Sequence, residues 1–355
     1  MSSVFGERIR LSLFGQSHGE KIGCVLDGLP AGEAINMDAL EAFMKRRAPG
    51  GEYATKRHET DEVRIVSGLF NGYTCGAPLC IMIENNDVHS SDYEQVKDMP
   101  RPGHADYPAE IKYHGYQDYR GGGHFSARIT AAICAAGGIL IQILARRGVS
   151  VGAHLLSVGD VKDLPFDQMT VSMEDFIVAQ TGFPTLSEKS AEQMKAVIDE
   201  VREAGDSIGG IVECAVIGLP VGIGSPVFDG IENAIAKAVF AIPAAKGIEF
   251  GEGFEAARMR GSQHNDPYEW KDEKPALQSN HAGGILGGLS DGAPVIFRVA
   301  FKPTPSIAMS QHTVSLSARR DAILEITGRH DPCVAVRAVP VVEAAAAIAI
   351  ADLML

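Results

Sequence analysis

Short apolar stretches bounded by turn residues recur along the first 90 residues and predict strands. Ile9, Leu11 and Leu13 alternate with polar residues, which is the pattern of a half-buried strand. Turn signals such as Asp27-Gly28 and Asn71-Gly72 separate the stretches and favour antiparallel pairing. The same pattern predicts further strands over residues 22–26, 63–66 and 79–83.

Longer apolar stretches predict helices. Residues 127–145 combine isoleucine and leucine with small Ala and Gly residues, and residues 341–355 are apolar in the same way. Because these two helices are apolar nearly all round, we expect them to be buried on more than one side. Ser190 and Gln193 resemble a capping box that opens an amphipathic helix ending before Gly205. Two further helices are predicted over residues 38–46 and 228–240.

The order of these elements favours one fold class. Strands come in adjacent groups, including residues 211–217 and 295–301, rather than one strand per helix. This order favours α+β layers over a doubly wound parallel sheet. We therefore predict an α+β layered sandwich with buried helices between antiparallel sheets. Because no low-complexity linker divides the chain, we predict one domain over residues 1–355.

Composition and charge narrow the class of function. The chain is 45% hydrophobic and 22% charged, which is ordinary for a globular protein. Its net charge of −13 argues against nucleic acid as a partner, because that partner needs a basic surface. No apolar run reaches the ~18 residues of a membrane span, and no signal peptide is recognisable, so we predict a cytoplasmic protein without a membrane partner. The six cysteines fit no zinc template, and we expect no metal.

Two segments gather more polar groups than a packed core would hold. They read YRGGGHFSARIT from Tyr119 and GRHDPCVAVRAVP from Gly328. Glycines let backbone N–H groups approach a ligand closely, and cationic side chains beside them suit an anion such as phosphate. A run of three glycines is about as often a simple tight turn. The flanking Arg120, His124 and Arg128 favour a ligand site.

Four more segments place polar or basic groups beside Gly or Pro. For His18 or His104 alone, a hydrogen-bonded structural histidine would be the better interpretation; the repeated association of His, Arg and Gly favours a shared site. The basic run of residues 45–47 is open to two interpretations, an anion site or a solvated helix end whose cations oppose the dipole. The four segments read GQSHG at 15–19, RPGHADY at 101–107, NHAGGILGG at 280–288 and FKPTPSI at 301–307.

Taken in their order along the chain, from residue 15 to residue 333, all six segments are marks of the chorismate synthases. The chain resembles that family over essentially its whole length. The resemblance implies the last step of the shikimate pathway, a 1,4-elimination that converts 5-enolpyruvylshikimate 3-phosphate to chorismate and phosphate. It also implies a need for reduced FMN, with an external flavin reductase and NADPH as the indirect reductant source, and a homotetramer. A substrate with a phosphate and two carboxylates fits a cluster of Arg and Lys. Reduced FMN fits a substrate hydrogen that is not acidic enough for a simple base.

The resemblance further implies roles for individual residues. His18 resembles the acid that protonates the leaving phosphate, His104 the histidine that acts near flavin N1, and Asp331 the carboxylate that relays a proton with flavin N5. A polar loop with His264 and Asn265 is expected to line the same site. The implied substrate or phosphate ligands are Ser17, Arg47, Arg101, Ser126, Arg128 and Arg329. The implied cofactor contacts are His124, Phe125, Ser126, Pro243, Ala244, Gly287, Lys302, Pro303, Thr304, Pro305, Ser306 and Arg329.

Two positions depart from the family pattern. Gln16 stands where the family usually has Glu or Asp, which weakens the local bias toward a protonated His18. Residues 50–53 lack a second arginine of many bacterial relatives, so that contact is absent or comes from Lys56 or Arg57. These departures leave open a protein that binds FMN and substrate without turnover. A flavin reductase that uses NADPH itself is a weaker alternative, because such relatives carry insertions for which 355 residues leave little room.

Overall fold

Strands between residues 4 and 84 form a five-stranded antiparallel sheet. The structure is a computed structural model that describes residues 3–49, 53, 60–86, 95–326 and 331–355. The sheet has the order β1-β2-β3-β7-β4, with β1 (Val4–Phe5), β2 (Arg10–Gly15), β3 (Lys21–Asp27), β4 (Arg64–Ser67) and β7 (Leu79–Glu84). A two-stranded hairpin, β5 (Leu69–Phe70) and β6 (Tyr73–Thr74), lies between β4 and β7 in the chain.

A second antiparallel sheet of five strands follows, in the order β11-β16-β10-β8-β9. Its strands are β8 (Ser150–Val158), β9 (Val161–Lys162), β10 (Gly210–Ile217), β11 (Ala245–Phe250) and β16 (Val295–Phe301). Three hairpins lie outside it, formed by β12 (Tyr268–Lys271) with β13 (Lys274–Leu277), β14 (Ile285–Leu286) with β15 (Leu289–Ser290), and β17 (Gln311–Ser315) with β18 (Arg320–Leu324).

The helices of the described residues are α1 (Met37–Arg47), α2 (Asp106–Tyr113), α3 (Thr130–Ala145), α4 (Met173–Gln180), α5 (Glu188–Glu203), α6 (Ile231–Val239), α7 (Gly261–His264) and α8 (Val334–Met354). Of these, α3 packs on the first sheet, α8 packs on the second, and the two helices pack on each other. A Cβ on Gly137 would lie only 2.3 Å from the Cβ of Ala344, so a small residue is required at this crossing. The predicted α+β sandwich with buried helices between antiparallel sheets is confirmed.

Two helical stretches have the length and composition of a membrane span, residues 127–145 and 334–354. The prediction that no apolar run reaches that length is therefore wrong, because a few polar residues within a helix do not disqualify it. In each stretch, 83% of the most apolar 18-residue window is buried inside the fold. Burial between two sheets accounts for this composition, as expected for helices without a polar face.

Two predicted helix starts are displaced in the structure. α8 begins at Val334, seven residues before the predicted start, and continues through Pro340. The capping box at Ser190 is wrong, because Ser187 caps α5 and accepts a hydrogen bond from the backbone N–H of Ser190. Both errors come from local signals that suit a helix end but lie within the first turns of these helices.

The outer face of the second sheet carries a buried charged cluster away from the interior helices. His154 Nε2 lies 3.0 Å from Glu213 Oε2, and His154 Nδ1 lies 3.3 Å from Asp163 Oδ2. Asp163 also accepts from the backbone N–H groups of Leu186 (2.6 Å) and Ser187 (3.1 Å). Burial lowers the pKa of His154, but the two carboxylates outweigh it and raise that pKa above 6.5. The cluster therefore ties the loop before α5 to the sheet.

Candidate active site

A cavity of about 480 Å³ lies where separate loops meet beside the interior helices. Four of the six motif segments contribute to its lining, and a fifth, GQSHG, lies directly behind it. This convergence brings together residues that are more than 200 positions apart in the chain. The lining comes from the end of α1 and from segments 101–105, 121–128, 240–244, 302–306 and 331–337.

The central wall of the cavity is the turn Arg120–Phe125, here called the glycine loop. Its backbone is kinked and non-helical at Gly121, Gly122 and Gly123, which have φ angles of 59°, 82° and 53°. These left-handed values favour glycine, because a Cβ would meet the backbone. The loop therefore needs its glycines for the backbone path itself.

The glycine loop also separates the two predicted catalytic histidines. A Cβ on Gly121 would lie 2.7 Å from both His18 Nε2 and Ser17 Oγ. A Cβ on Gly122 would lie 3.1 Å from His104 Nε2. His18 is 6% exposed and Ser17 is 1% exposed, so both lie behind the loop in the protein interior. The loop therefore holds the two imidazoles on either side of one thin backbone wall.

Gly121→Ala is expected to lower kcat about tenfold, because the new methyl group displaces the His18 imidazole and the left-handed backbone is strained. Steady-state kinetics of the purified variant measure the loss. Gly148→Ala is the matched control, since Gly148 has a φ of 79° and no atom within 4 Å of its would-be Cβ. Equal losses in the two variants would mean that backbone strain alone, rather than contact with His18, lowers the rate.

One buried carboxylate organises the RPGHADY segment. Asp106 accepts from Arg101 Nε (2.7 Å) and NH2 (2.8 Å), and its Oδ1 lies 2.6 Å from His104 Nδ1. Arg101 also donates from NH1 to the hydroxyl of Ser306 (3.2 Å), which joins this segment to the FKPTPSI segment. Burial raises the pKa of Asp106, but hydrogen bonds from Arg101 and His104 lower it far below 3.8. Asp106 is therefore an anion that fixes both neighbours.

The same environment sets the charge of His104. Burial lowers the pKa of His104, the hydrogen bond with Asp106 raises it, and the nearby Arg101 lowers it again. The resulting pKa lies below the ordinary 6.5, so the imidazole is neutral at pH 7. The short contact with Asp106 places the proton on Nδ1 and leaves the Nε2 lone pair toward the glycine loop.

The three consecutive cations at the end of α1 point in different directions. Lys45 forms an exposed ion pair with Glu41 (2.8 Å), and Arg46 pairs with the buried Glu343 of α8. Arg47 is 3% exposed and lines the cavity. A helix turns by about 100° per residue, so three neighbours cannot share one face. Of the two interpretations of this run, a solvated helix end describes Lys45, whereas the role of Arg47 as an anion ligand stays a prediction.

Arg47 and Arg128 share one carboxylate, Asp61. Arg47 NH1 donates to Asp61 Oδ2 (2.5 Å), and Arg128 NH1 donates to Asp61 Oδ1. All three side chains are at most 3% exposed. Burial raises the pKa of Asp61, but the two guanidiniums outweigh it and hold that pKa below 3.8. The predicted anion ligands therefore enclose an anion of the protein itself.

Asn85 connects Arg128 with the loop that carries His18. Its Oδ1 accepts from Arg128 Nε (2.8 Å), and its Nδ2 donates to the carbonyls of Gln16 (3.1 Å) and Gly19 (2.7 Å). The side chain of Asn85 thus fixes the position of residues 16–19 relative to the arginine pair.

Asp331 lines the cavity just before α8. Its Oδ2 accepts from Arg337 NH1 (2.8 Å), and Arg337 Nε donates to the backbone carbonyl of Arg47 (3.0 Å). Asp331 and Arg337 are both less than 15% exposed. Arg337 in the first turns of α8 therefore joins the carboxylate just before the helix to the end of α1.

A carboxylate stands near His18 in spite of the departure at Gln16. The hydrogen bond from Arg120 (2.8 Å) is the main reason that the pKa of Asp118 is lowered, and the charge of His18 adds to it. Gln16 itself contributes a backbone carbonyl to Asn85. Asp118 thus supplies a negative charge to the surroundings of His18 that Gln16 does not supply.

The predicted cofactor contacts form another part of the wall. Lys302 Nζ donates to the carbonyl of Gly103 (2.7 Å), and Lys302 N donates to the carbonyl of Ala244, whose φ is 72°. The buried hydroxyl of Thr304 has no hydrogen-bond partner among the residues that the structure describes. The predicted cofactor contacts that line the cavity are His124, Phe125, Ser126, Pro243, Ala244, Lys302, Thr304, Pro305 and Ser306.

Other predicted site residues lie elsewhere. Gly287 is in the turn between β14 and β15, and Pro303 is exposed; neither is part of the cavity lining. His264 and Asn265 lie at the end of α7, also outside the lining. The expectation that the polar loop with His264 and Asn265 lines the cavity is therefore not confirmed. Arg329, Lys56 and Arg57 lie outside the described residues.

Several residues of the site were not predicted as such. Asp106 lies within a motif, two residues after His104, so its role as a partner could have been considered. Asp61 and Asn85 carry no comparable signal, because each is surrounded by ordinary loop and strand residues. Only the three-dimensional arrangement shows that they join Arg47, Arg128 and the His18 loop.

Comparison with known proteins gives one consistent result. The family model described as chorismate synthase matches residues 9–355. The chorismate synthase of Korarchaeum cryptofilum is 47% identical over 352 residues, covering 98% of this chain and 96% of that protein. The chorismate synthase of Dehalococcoides mccartyi is 46% identical over 363 residues, covering 100% and 97%. A solved structure titled "Crystal Structure of Chorismate Synthase" matches with a TM-score of 0.76 and 28% identity, covering 98% of this chain and 92% of that one.

Proposed function

The chain belongs to the chorismate synthase family, and from this premise we propose that it converts 5-enolpyruvylshikimate 3-phosphate to chorismate and inorganic phosphate with reduced FMN. The comparisons support the coarser statement of chorismate synthase function, the last step of the shikimate pathway. The substrate and the cofactor belong to the proposal. The observation that carries it is the convergence of His104, Arg128 and Asp331 on one cavity, with His18 directly behind the glycine loop that forms its wall.

The lining suits a substrate with several negative charges. Arg101, Arg128 and Arg337 line the cavity with Arg47 and Lys302. Guanidiniums bind phosphate and carboxylate groups through paired hydrogen bonds. The chain as a whole carries a net charge of −13 and would repel an anionic substrate. This local group of cations makes the cavity itself attractive to such an anion.

The cavity also fits FMN by the chemistry of its wall. Phe125 and segment 240–244 offer apolar surface for a flat ring, Lys302 offers a cation, and the Thr304 hydroxyl is buried with no partner among the described residues. We propose that these residues, with Ser306, hold the cofactor. When bound, FMN would supply the transient electron donation that no side chain offers.

The side chains then have distinct tasks. We propose that His18 holds a proton on its imidazole and delivers it to the departing phosphate, while the arginines hold that phosphate. His104 stays neutral, with its proton fixed on Nδ1 by Asp106 and its Nε2 directed to the glycine loop. Asp331 keeps a carboxylate beside the cavity through its ion pair with Arg337 and can accept a proton there.

An anaerobic assay tests the proposal. We expect the purified protein, with chemically reduced FMN, to release phosphate from 5-enolpyruvylshikimate 3-phosphate without net oxidation of the flavin. Phosphate detection and flavin absorbance, recorded together, measure the two quantities. Absence of phosphate release while FMN is bound would refute the proposed activity. Oxidation of NADPH by the pure protein with added FMN would indicate a reductase activity of its own.

The proposal extends to the setting of the enzyme. We propose a homotetramer in the cytoplasm that receives reduced FMN from an external flavin reductase, as the family resemblance implies. Light scattering of the purified protein measures the assembly.

A further inference from the structure

The arginine pair Arg47 and Arg128 already holds a negative charge. Both guanidiniums donate through NH1 to the two oxygens of Asp61, whose side chain is fully buried. Two cations this close would repel each other in a buried site. With Asp61 between them, the group of three carries one net positive charge instead of two.

The orientation of the two guanidiniums does not depend on Asp61 alone. Arg47 donates from Nε to the Thr130 hydroxyl (3.2 Å) and from NH2 to a backbone carbonyl just before α3 (3.2 Å). Arg128 donates from Nε to Asn85 Oδ1 (2.8 Å) and from NH2 to the carbonyl at the end of β7 (3.0 Å). All these acceptors are neutral. They fix direction, whereas Asp61 changes the charge of the pair.

We propose that Asp61 is the resident counter-anion of this arginine pair and that it limits the affinity of the pair for inorganic phosphate, so that the product leaves. The identity of the product rests on the proposed function. Two buried guanidiniums without a counter-ion form a strong phosphate site. Asp61 occupies part of their hydrogen-bonding capacity and cancels one of their charges.

Asp61 affects the product more than the substrate. Inorganic phosphate has only its own charge with which to bind, so its affinity follows the charge of the pair closely. The substrate has two carboxylates besides its phosphate, and Arg101, Arg337 and Lys302 line the same cavity. Its binding energy is therefore distributed over more contacts, and the loss at one pair is a smaller fraction of the total.

Calorimetric titration of the full chain with inorganic phosphate tests the inference. In Asp61→Asn we expect phosphate to bind about tenfold more tightly than in the wild type, equivalent to ~1.4 kcal/mol. Product inhibition by phosphate is expected to strengthen by the same factor. A purely structural role would weaken binding instead. Unchanged or weaker phosphate binding by the folded variant would overturn the proposal.

Asp163→Asn is the matched control, because Asp163 is a buried carboxylate beside a histidine outside the cavity. It is expected to lose stability and keep the phosphate affinity of the wild type. If Asp61→Asn does not fold, Arg47→Gln alone is compared with the double variant Arg47→Gln/Asp61→Asn. Phosphate must bind the double variant more tightly, because it keeps Arg128 without the carboxylate. The reverse order would overturn the proposal.

The two proposals fail in different ways. Calorimetry with phosphate needs neither substrate nor flavin, so it tests Asp61 even if the wild type releases no phosphate. A wild type that turns over normally, together with an Asp61→Asn variant of unchanged phosphate affinity, would remove the counter-anion role and leave the proposed function intact.

Discussion

Replacement of His18 by alanine is expected to lower kcat for phosphate release by ~10²-fold or more, the scale of a lost general acid. Departing phosphate is a poor leaving group without a proton or cation. His18 is the histidine behind the glycine loop at Gly121, and Asp118 places a carboxylate in its surroundings. Steady-state phosphate release at saturating substrate measures the loss.

A pH profile distinguishes an acid from a merely structural histidine. A general acid acts only in its protonated form, so we expect wild-type kcat to fall at alkaline pH. In His18→Ala this alkaline limb should vanish, and added imidazole should restore part of the rate by entering the space beside Gly121. His312→Ala is the control, since His312 lies on β17 with its side chain exposed. A loss below about threefold in His18→Ala would contradict the assigned role.

The layers of the fold could be predicted because hydrophobic patterning reports burial directly. α3 and α8 lack a polar face, and only a position between two sheets buries such helices on both sides. Helix starts were less predictable. Pro340 lies inside α8 and Ser190 lies inside α5, although each residue type usually marks a boundary.

The site could be predicted in its cationic and histidine residues, because they lie in motifs rich in glycine. The residues that fix them were mostly invisible in the sequence. Asp61 is 14 residues from Arg47 and 67 residues from Arg128, so no local spacing indicates that one carboxylate serves both. Partners of this kind are set by tertiary packing.

His104→Ala is expected to lower kcat by ~10²-fold, with a change in the acid limb of the pH profile. Because burial holds the pKa of His104 below 6.5, we expect the acid limb of the wild-type profile to lie below that pH, where His104 gains a proton. In His104→Ala the residual rate should lack this limb. The ion pair of Arg101 with Asp106 remains in the variant, so the local fold has its main support.

His281→Ala is the matched control for His104→Ala, because His281 also lies beside an aspartate, with Nδ1 2.8 Å from Asp266 Oδ1, but outside the cavity lining. It should keep both the wild-type kcat and the acid limb. Thermal melting of both variants shows whether they lose comparable stability. If both variants lose activity equally, the loss of a His–Asp pair explains the effect. If only His104→Ala loses activity and its acid limb disappears, the neutral imidazole beside Gly122 takes part in the reaction, because only that variant removes a titratable group from the cavity.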